Sequence, residues 1–299
     1  MISYKHWINA IRLHTLPLSI SGITSSFIIS KFRVEKVNTL TYILCIVTAL
    51  LLQILANISN DYGDGIKGID KFRFFGPKRM GQSGLIKFHS MIKAIILFSI
   101  LSFISGFSLI YISLSFKNVF IFILFFVGII FCIYSSITYS VGSYSYGSFG
   151  LGDFSVFIFF GILSVLGSYF LYTYTLHVDI FLLSLSIGLL NVAILNINNM
   201  RDINSDYHCG KYTIANMLGI KYAKIYHVFL ITISLFLGSV FILLNKRNIL
   251  QLLFIIFIFK YLHHAKCIFF LKERYLFNLE LKKLIKMVFL YSIYMGFIN

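Results

Sequence analysis

Residues 39–60 read TLTYILCIVTALLLQILANISN, and residues 61–70 continue as DYGDGIKGID. The first run carries no charge and matches the roughly 20 residues a helix needs to cross a bilayer. The second begins with an acid at the point where the span ends. Working outward, comparable apolar segments fall at 8–31, 90–115, 118–141, 153–175, 179–200, 223–244, 249–270 and 284–298. Hydrophobic residues make up 59% of the 299 positions and charged residues 12%, far from the roughly half and quarter of a water-soluble domain. The expected fold is an all-α integral membrane protein of about nine transmembrane helices, one polytopic domain over residues 1–299. The apolar N-terminal run has no small-residue cleavage site after it and reads as the first span.

The net charge of +16 does not point to nucleic acid, because the 26 Lys and Arg are dispersed over short loops. Topology explains them. With the N-terminus in the cytoplasm, 20 lie on that side and six (Lys31, Arg33, Lys36, Lys117, Lys246 and Arg247) on the other, as the positive-inside rule requires. The same assignment places two polar loops, near 61–87 and 201–221, together as a cytoplasmic cap. Cys45, Cys132, Cys209 and Cys267 are widely separated and show neither disulfide-framework nor zinc-ligand spacing.

Five of the ten acids, Asp61, Asp64, Asp70, Asp202 and Asp206, sit in the windows 57–70 and 202–206. Asn57, Asp61 and Asp64 are spaced i, i+4, i+7, and Asn198, Asp202 and Asp206 are spaced i, i+4, i+8, so each set shares a helix face. A single acid at a span end is accounted for as a polar helix terminus meeting water. Two such clusters on one side of a membrane call for a ligand instead. Mg²⁺ takes one or two carboxylates and completes its octahedron with water and phosphate oxygens, which suits Asp-rich helix ends facing a diphosphate. Cations for its oxygens are close by in sequence: Lys67, Lys71, Arg73, Lys78, Arg79, Arg201 and Lys211, with Arg12 at the matching end of the first span. Arg12 and Arg79 are preferred among them for their bidentate fork.

Gly63, Gly65 and Gly68 spell GxGxxG, but after a membrane helix and not a strand, so a dinucleotide site is excluded. The sequon at Asn57 lies at the cytoplasmic end of a span.

The stretch 53–86, QILANISNDYGDGIKGIDKFRFFGPKRMGQSGLI, resembles the first Asp-rich motif of the UbiA superfamily of intramembrane prenyltransferases. Its NDYGDxxxGxD and GPxRxxQSG forms resemble the MenA branch, the 1,4-dihydroxy-2-naphthoate polyprenyltransferases. NNMRDINSDYHCGKYTIANMLGIKYAKIYH (198–227) resembles the second motif of that branch, YGSFGLGDFSVFIFFGILSVLGS (146–168) its central element, and RLHTLPLS (12–19) its N-terminal element. The resemblance implies nine helices around a central cavity in the bacterial cytoplasmic (inner) membrane, with the active site cytoplasmic. It implies that Asp61, Asp64, Asp202 and Asp206 hold Mg²⁺ on a polyprenyl diphosphate and that Asn57, Asn60, Asn198 and Asn199 support the metal shell. Arg79, Gln82 and Lys211 would line the diphosphate and acceptor pocket. Tyr144 and Ser145 stand where the branch has a basic residue and Pro, and Met217 where it has Arg.

The implied reaction is transfer of the polyprenyl chain to 1,4-dihydroxy-2-naphthoate with loss of CO₂ and diphosphate, in a cavity that keeps water from an allylic cation. Asp70 and Asp153 are the remaining acids available as a base. Other acceptors, 4-hydroxybenzoate or haem, would keep the chemistry, and a transporter using the same Asp clusters would show flux without prenyl turnover.

Overall fold

Each apolar segment is helical in a computed structural model of the chain, which describes residues 4–68, 79–115, 118–245 and 249–298. Asp70, Lys71, Arg73, Lys78, Lys117, Lys246 and Arg247 lie outside the described residues. In chain order the helices are α1 (Tyr4–Ile11), α2 (Leu16–Arg33), α3 (Thr39–Ile66), α4 (Phe88–Leu114) and α5 (Val119–Thr138). After them come α6 (Gly152–Phe157), α7 (Ser168–Thr173), α8 (Val178–His208), α9 (Ile214–Leu244), α10 (Phe254–Phe270) and α11 (Phe277–Gly296). A ten-residue π-helical stretch, Ile158–Gly167, joins α6 to α7 into one span. Gly219 (φ 73°, ψ 160°) breaks the first turns of α9 from the rest.

Among the described residues eight runs are long and apolar enough to cross a membrane, with α1 and α2 forming one of them. The ninth expected span is α11. Glu280, Lys282, Lys283 and Lys286 occupy its first turns, and it becomes apolar from Met287 onward. Among the described residues there is no strand, only an isolated bridge between Phe149 and Tyr212. Helices predominate because a bilayer offers no water to backbone amides, so each span must satisfy its own. The many serines fit by bonding back along their helices, as Ser21 to the Leu18 carbonyl (2.9 Å) and Ser113 to that of Leu109 (2.7 Å).

The chain divides into two compact units that alternate along the sequence. The first comprises Met1–Leu16, Thr39–Gly152 and Asn204–Thr213. In it α3 packs on α1, α4 and α5, around a small core of Ala10, Leu55, Ile58, Met80, Ile86 and Met91. Thr48 and Ser105 hydrogen-bond across α3 and α4 at 2.8 Å.

The second unit comprises Pro17–Asn38, Asp153–Ile203 and Ile214–Asn299. Its interior helix is α8, where Ile180, Leu183, Ile187, Leu190, Ile194 and Ile197 alternate spacings of three and four along one buried stripe. Lipid tails are as apolar as leucine, so the helices are held by close approach and by buried hydrogen bonds. A Cβ on Gly161 would lie 2.7 Å from the Gly188 Cα, so the π-helical stretch and α8 meet backbone to backbone. Ser186 on α8 bonds the Ser234 carbonyl on α9 (2.9 Å) and the Tyr291 hydroxyl on α11 (2.7 Å).

Candidate active site

The first Asp motif occupies the last turns of α3, where Asn57, Asp61 and Asp64 are buried on one face, as their spacing requires. The turn between α1 and α2 closes over it. Asn57 Nδ2 donates to the Ile11 carbonyl at 2.8 Å, and Arg12 Nη2 donates to Asn60 Oδ1 at 3.1 Å. Arg12 takes a left-handed backbone conformation (φ 57°, ψ 60°). A non-glycine residue there costs of order 1–3 kcal/mol and is retained where surrounding contacts over-determine it. Asn60 Nδ2 in turn donates to Ser140 Oγ at 3.0 Å. In this structure, then, Asn57 and Asn60 hold the turn after α1 and Ser140 against the end of α3 that carries the carboxylates.

Asp61 Oδ2 accepts from the Met80 backbone N–H at 3.1 Å, which docks the segment carrying Arg79 and Gln82 onto the motif. Its other oxygen, Oδ1, is buried with no hydrogen-bond partner among the described residues. Asp64 Oδ2 lies 3.6 Å from Lys211 Nζ. Lys211 reaches it because the chain turns back after α8, the Lys211 N–H bonding the Asp206 carbonyl at 2.9 Å and the Tyr212 N–H bonding that of Ser148 at 2.9 Å. Lys67 Nζ donates to the Ser140 carbonyl at 3.0 Å and to Ser145 Oγ. Burial pushes its ammonium below the ordinary lysine range; Asp64 pulls the other way and Lys211 adds to the depression. Gly63 permits this crowding: a Cβ there would sit 2.3 Å from the Ser140 carbonyl oxygen.

Asp206 and Lys211 thus belong to the same unit as Asp61 and Asp64, while Asn198, Asn199 and Asp202 belong to the second unit, on the continuous helix α8. Asp202 is buried and forms a fork with its neighbour: Arg201 Nε to Oδ1 at 2.8 Å and Nη2 to Oδ2 at 2.6 Å. Arg201 also donates to Asn198 Oδ1 (2.7 Å) and Asn278 Oδ1 (2.8 Å).

The UbiA prenyltransferase family profile matches residues 24–274. The chain belongs to this family. It is 39% identical over 250 residues, 84% of this chain and 80% of the relative, to a 1,4-dihydroxy-2-naphthoate octaprenyltransferase of Escherichia coli. A protein of the same name from Haemophilus influenzae is 38% identical, over 77% of this chain and 74% of its own. Among solved structures, a UbiA homologue from Archaeoglobus fulgidus bound to DMAPP and Mg²⁺ superposes with a TM-score of 0.65 at 13% identity. The overlay covers 96% of this chain and 98% of that one, and it shows a common fold.

Among the described residues no three His, Cys, Asp or Glu side chains converge into a ready-made metal cage. The UbiA residues nonetheless fit Mg²⁺, which uses few protein ligands beside substrate phosphates and demands hard oxygen donors. Asp61 Oδ1 is such a donor, buried and without a hydrogen-bond partner among the described residues.

Two polar pairings escape a one-dimensional reading. Arg201 figured there only as one of several cations, although its adjacency to Asp202 was a usable signal. Tyr226, whose hydroxyl donates to Asp153 Oδ2 at 3.1 Å, gives none, being one tyrosine of 19. Of the departures from the UbiA pattern, Tyr144 and Met217 are exposed, and Ser145 is buried as the acceptor for Lys67.

Proposed function

We propose that the chain transfers a polyprenyl group from its diphosphate to 1,4-dihydroxy-2-naphthoate, releasing CO₂ and diphosphate and forming demethylmenaquinol for menaquinone synthesis. The observation that carries this reading is the 39% identity, over 84% of the chain, to a relative of that activity. The same proposal places the enzyme in the bacterial cytoplasmic membrane as one polytopic domain, N-terminus and both Asp motifs cytoplasmic.

Asp61, Asp64, Asp202 and Asp206 would hold Mg²⁺, which when bound supplies positive charge to the departing diphosphate. Arg12, Arg79 and Lys211 add fixed positive charge to the same oxygens. Gln82 contributes amide hydrogen bonds, and Asn198 and Asn199 steady the second motif as Asn57 and Asn60 steady the first. The allylic C–O bond breaks with its electron pair going to diphosphate. The ring carbon bearing the carboxylate attacks the allylic carbon, and the carboxylate leaves as CO₂, returning its bonding pair to the ring. Loss of CO₂ takes the place of proton loss, so this route needs no general base from Asp70 or Asp153.

Both 1,4-dihydroxy-2-naphthoate and 4-hydroxybenzoate carry a carboxylate, so charge does not separate them. The second fused ring does, by about 1–3 kcal/mol of apolar burial. The test supplies purified protein with Mg²⁺, a polyprenyl diphosphate and each acceptor in turn, with products identified by mass. A decarboxylated prenyl naphthoquinol supports the reading. Prenylated 4-hydroxybenzoate with no naphthoate product overturns it, and turnover undiminished after the metal is chelated removes Mg²⁺ from it.

A further inference from the structure

Within the second unit, α9 and α10 leave an open groove of about 520 Å³ on the face turned away from the core. Its α9 wall is Ile225, Val228, Phe229 and Thr232, and its α10 wall Leu262, Lys266, Phe269 and Phe270, each set following a helical stripe, with buried Ala265 as the floor. Phe229, Phe270 and Leu262 are exposed. Thr232 adds no free polar group, since its hydroxyl bonds the Val228 carbonyl on its own helix at 2.9 Å. Apart from Lys266 the lining is otherwise apolar. Its size falls within the roughly 300–1,000 Å³ of sites for small ligands.

One end differs from the rest. Lys266 lies one turn before the end of α10, and Lys224, adjacent to Ile225, has its Nζ at the last carbonyls of α10, bonding those of Leu271 and Phe269. That bond satisfies acceptors the helix terminus leaves open. Lys221 on α9 and Lys272 and Arg274 after α10 belong to the same end of the hairpin. The only acid in this stretch is Glu273. A lysine stem lying along an apolar wall brings its ammonium to the headgroup level of a bilayer. Basic pockets between spans are the pattern that selects anionic lipid headgroups over zwitterionic ones.

We propose that this groove binds an anionic phospholipid, one acyl chain lying between α9 and α10 and its phosphate facing Lys266 and Lys221. The apolar walls take any acyl chain, so the lysines set the headgroup preference.

The experiment uses the full-length protein, delipidated in detergent and offered phosphatidylglycerol or phosphatidylethanolamine of identical chains, with bound lipid counted by native mass spectrometry. The expected result is a preference for phosphatidylglycerol that falls about five-fold for each charge removed in Lys266→Gln and Lys221→Gln. Thr232→Trp, which fills the groove without touching the lysines, should abolish retention of both lipids at this site. Equal retention of the two lipids by the unaltered protein overturns the proposal, as does an unchanged preference in the double lysine variant. Displacement of the lipid by a polyprenyl diphosphate, or a dimer that dissociates in Thr232→Trp, assigns the groove to another occupant and overturns it as well.

Discussion

Asp61 and Asp179 are both aspartates at helix ends in a membrane protein, and the protein treats them in opposite ways. Asp179, at the start of α8, is engaged on both oxygens: Arg33 Nη1 meets Oδ1 at 3.3 Å, Arg33 Nη2 meets Oδ2, and Asn245 bonds both Arg33 (2.8 Å) and Asp179 (3.4 Å). The result ties the ends of α2, α8 and α9 together. Asp61 is more deeply buried, yet one of its oxygens has no hydrogen-bond partner among the described residues, and the Arg12 guanidinium acts on it only through space. Leaving a buried carboxylate oxygen unpaired costs of order 1–3 kcal/mol. An acid kept so is open to a ligand, whereas an acid saturated from within is a strut.

The sharpest way to break that contrast is to remove charge from the unsaturated acid. Asp61→Asn keeps shape and the Met80 contact but loses the anionic oxygen, and we expect prenyl transfer to fall by about 10²–10³-fold, the scale of losing one electrostatic stabiliser. The melting temperature in detergent should stay level or rise, because an uncompensated desolvation is relieved. Near-normal turnover in Mg²⁺, or a large loss of stability, would make Asp61 a strut like Asp179.

Next in size is Gly63→Ala. Its Cβ would meet the Ser140 carbonyl oxygen at 2.3 Å, a backbone atom with nowhere to go. The displaced loop carries the acceptors of Lys67 and Asn60. Misplacement of about 1 Å costs on the order of 10²-fold in rate, and steady-state assays should show it mainly in kcat. A variant with unchanged kcat would show that the loop does not position the motif.

How much of this was legible in one dimension follows from which constraint acts where. The eight spans were readable because bilayer thickness and backbone satisfaction fix length and composition together, and α11 is a helix over its expected segment despite its charged first turns. The shared faces of Asn57, Asp61 and Asp64 were readable because helical spacing fixes them. What each side chain touches was not. Asn57 bonding Ile11, Asn60 bridging Arg12 and Ser140, and Tyr226 on Asp153 join segments 46, 48, 80 and 73 residues apart, and spacing carries no such information. The left-handed Arg12 and the π-helical stretch at 158–167 are likewise outcomes of packing, with no glycine or proline at Arg12 to announce it.

Asp202 stands between the two extremes, since Arg201 saturates it while the proposed function makes it a ligand. Arg201→Lys separates the roles. Lysine keeps the charge but not the planar fork, so Asp202 should keep a cation beside it and lose its orientation. We expect kcat/KM to fall about ten-fold, about 1.4 kcal/mol, with little change in melting. Arg201→Ala should instead destabilise by about 3–5 kcal/mol, because it strands a buried carboxylate. If Lys and Ala behave alike, Arg201 is only a neutralising charge.

The smallest effect on activity belongs to Arg33→Ala, and it tests the strut directly. Arg33 and Asp179 keep 19% and 13% side-chain exposure, so water compensates part of the loss and the full cost of breaking a buried pair does not apply. Charge-assisted hydrogen bonds at such a site are worth about 1–3 kcal/mol. For a chain of this size that is a fall of several degrees in melting temperature, read at one fixed scan rate because membrane proteins unfold irreversibly. Prenyl transfer measured well below the transition should stay within about two-fold, since a strut has no interaction that strengthens in the transition state. Asp179→Ala should behave the same way, and the double variant should lose less than the sum of the two, since the second change removes a partner already gone. If Arg33→Ala instead lowered kcat as Asp61→Asn does at unchanged melting temperature, saturation of an acid from within would no longer distinguish struts from ligands in this protein.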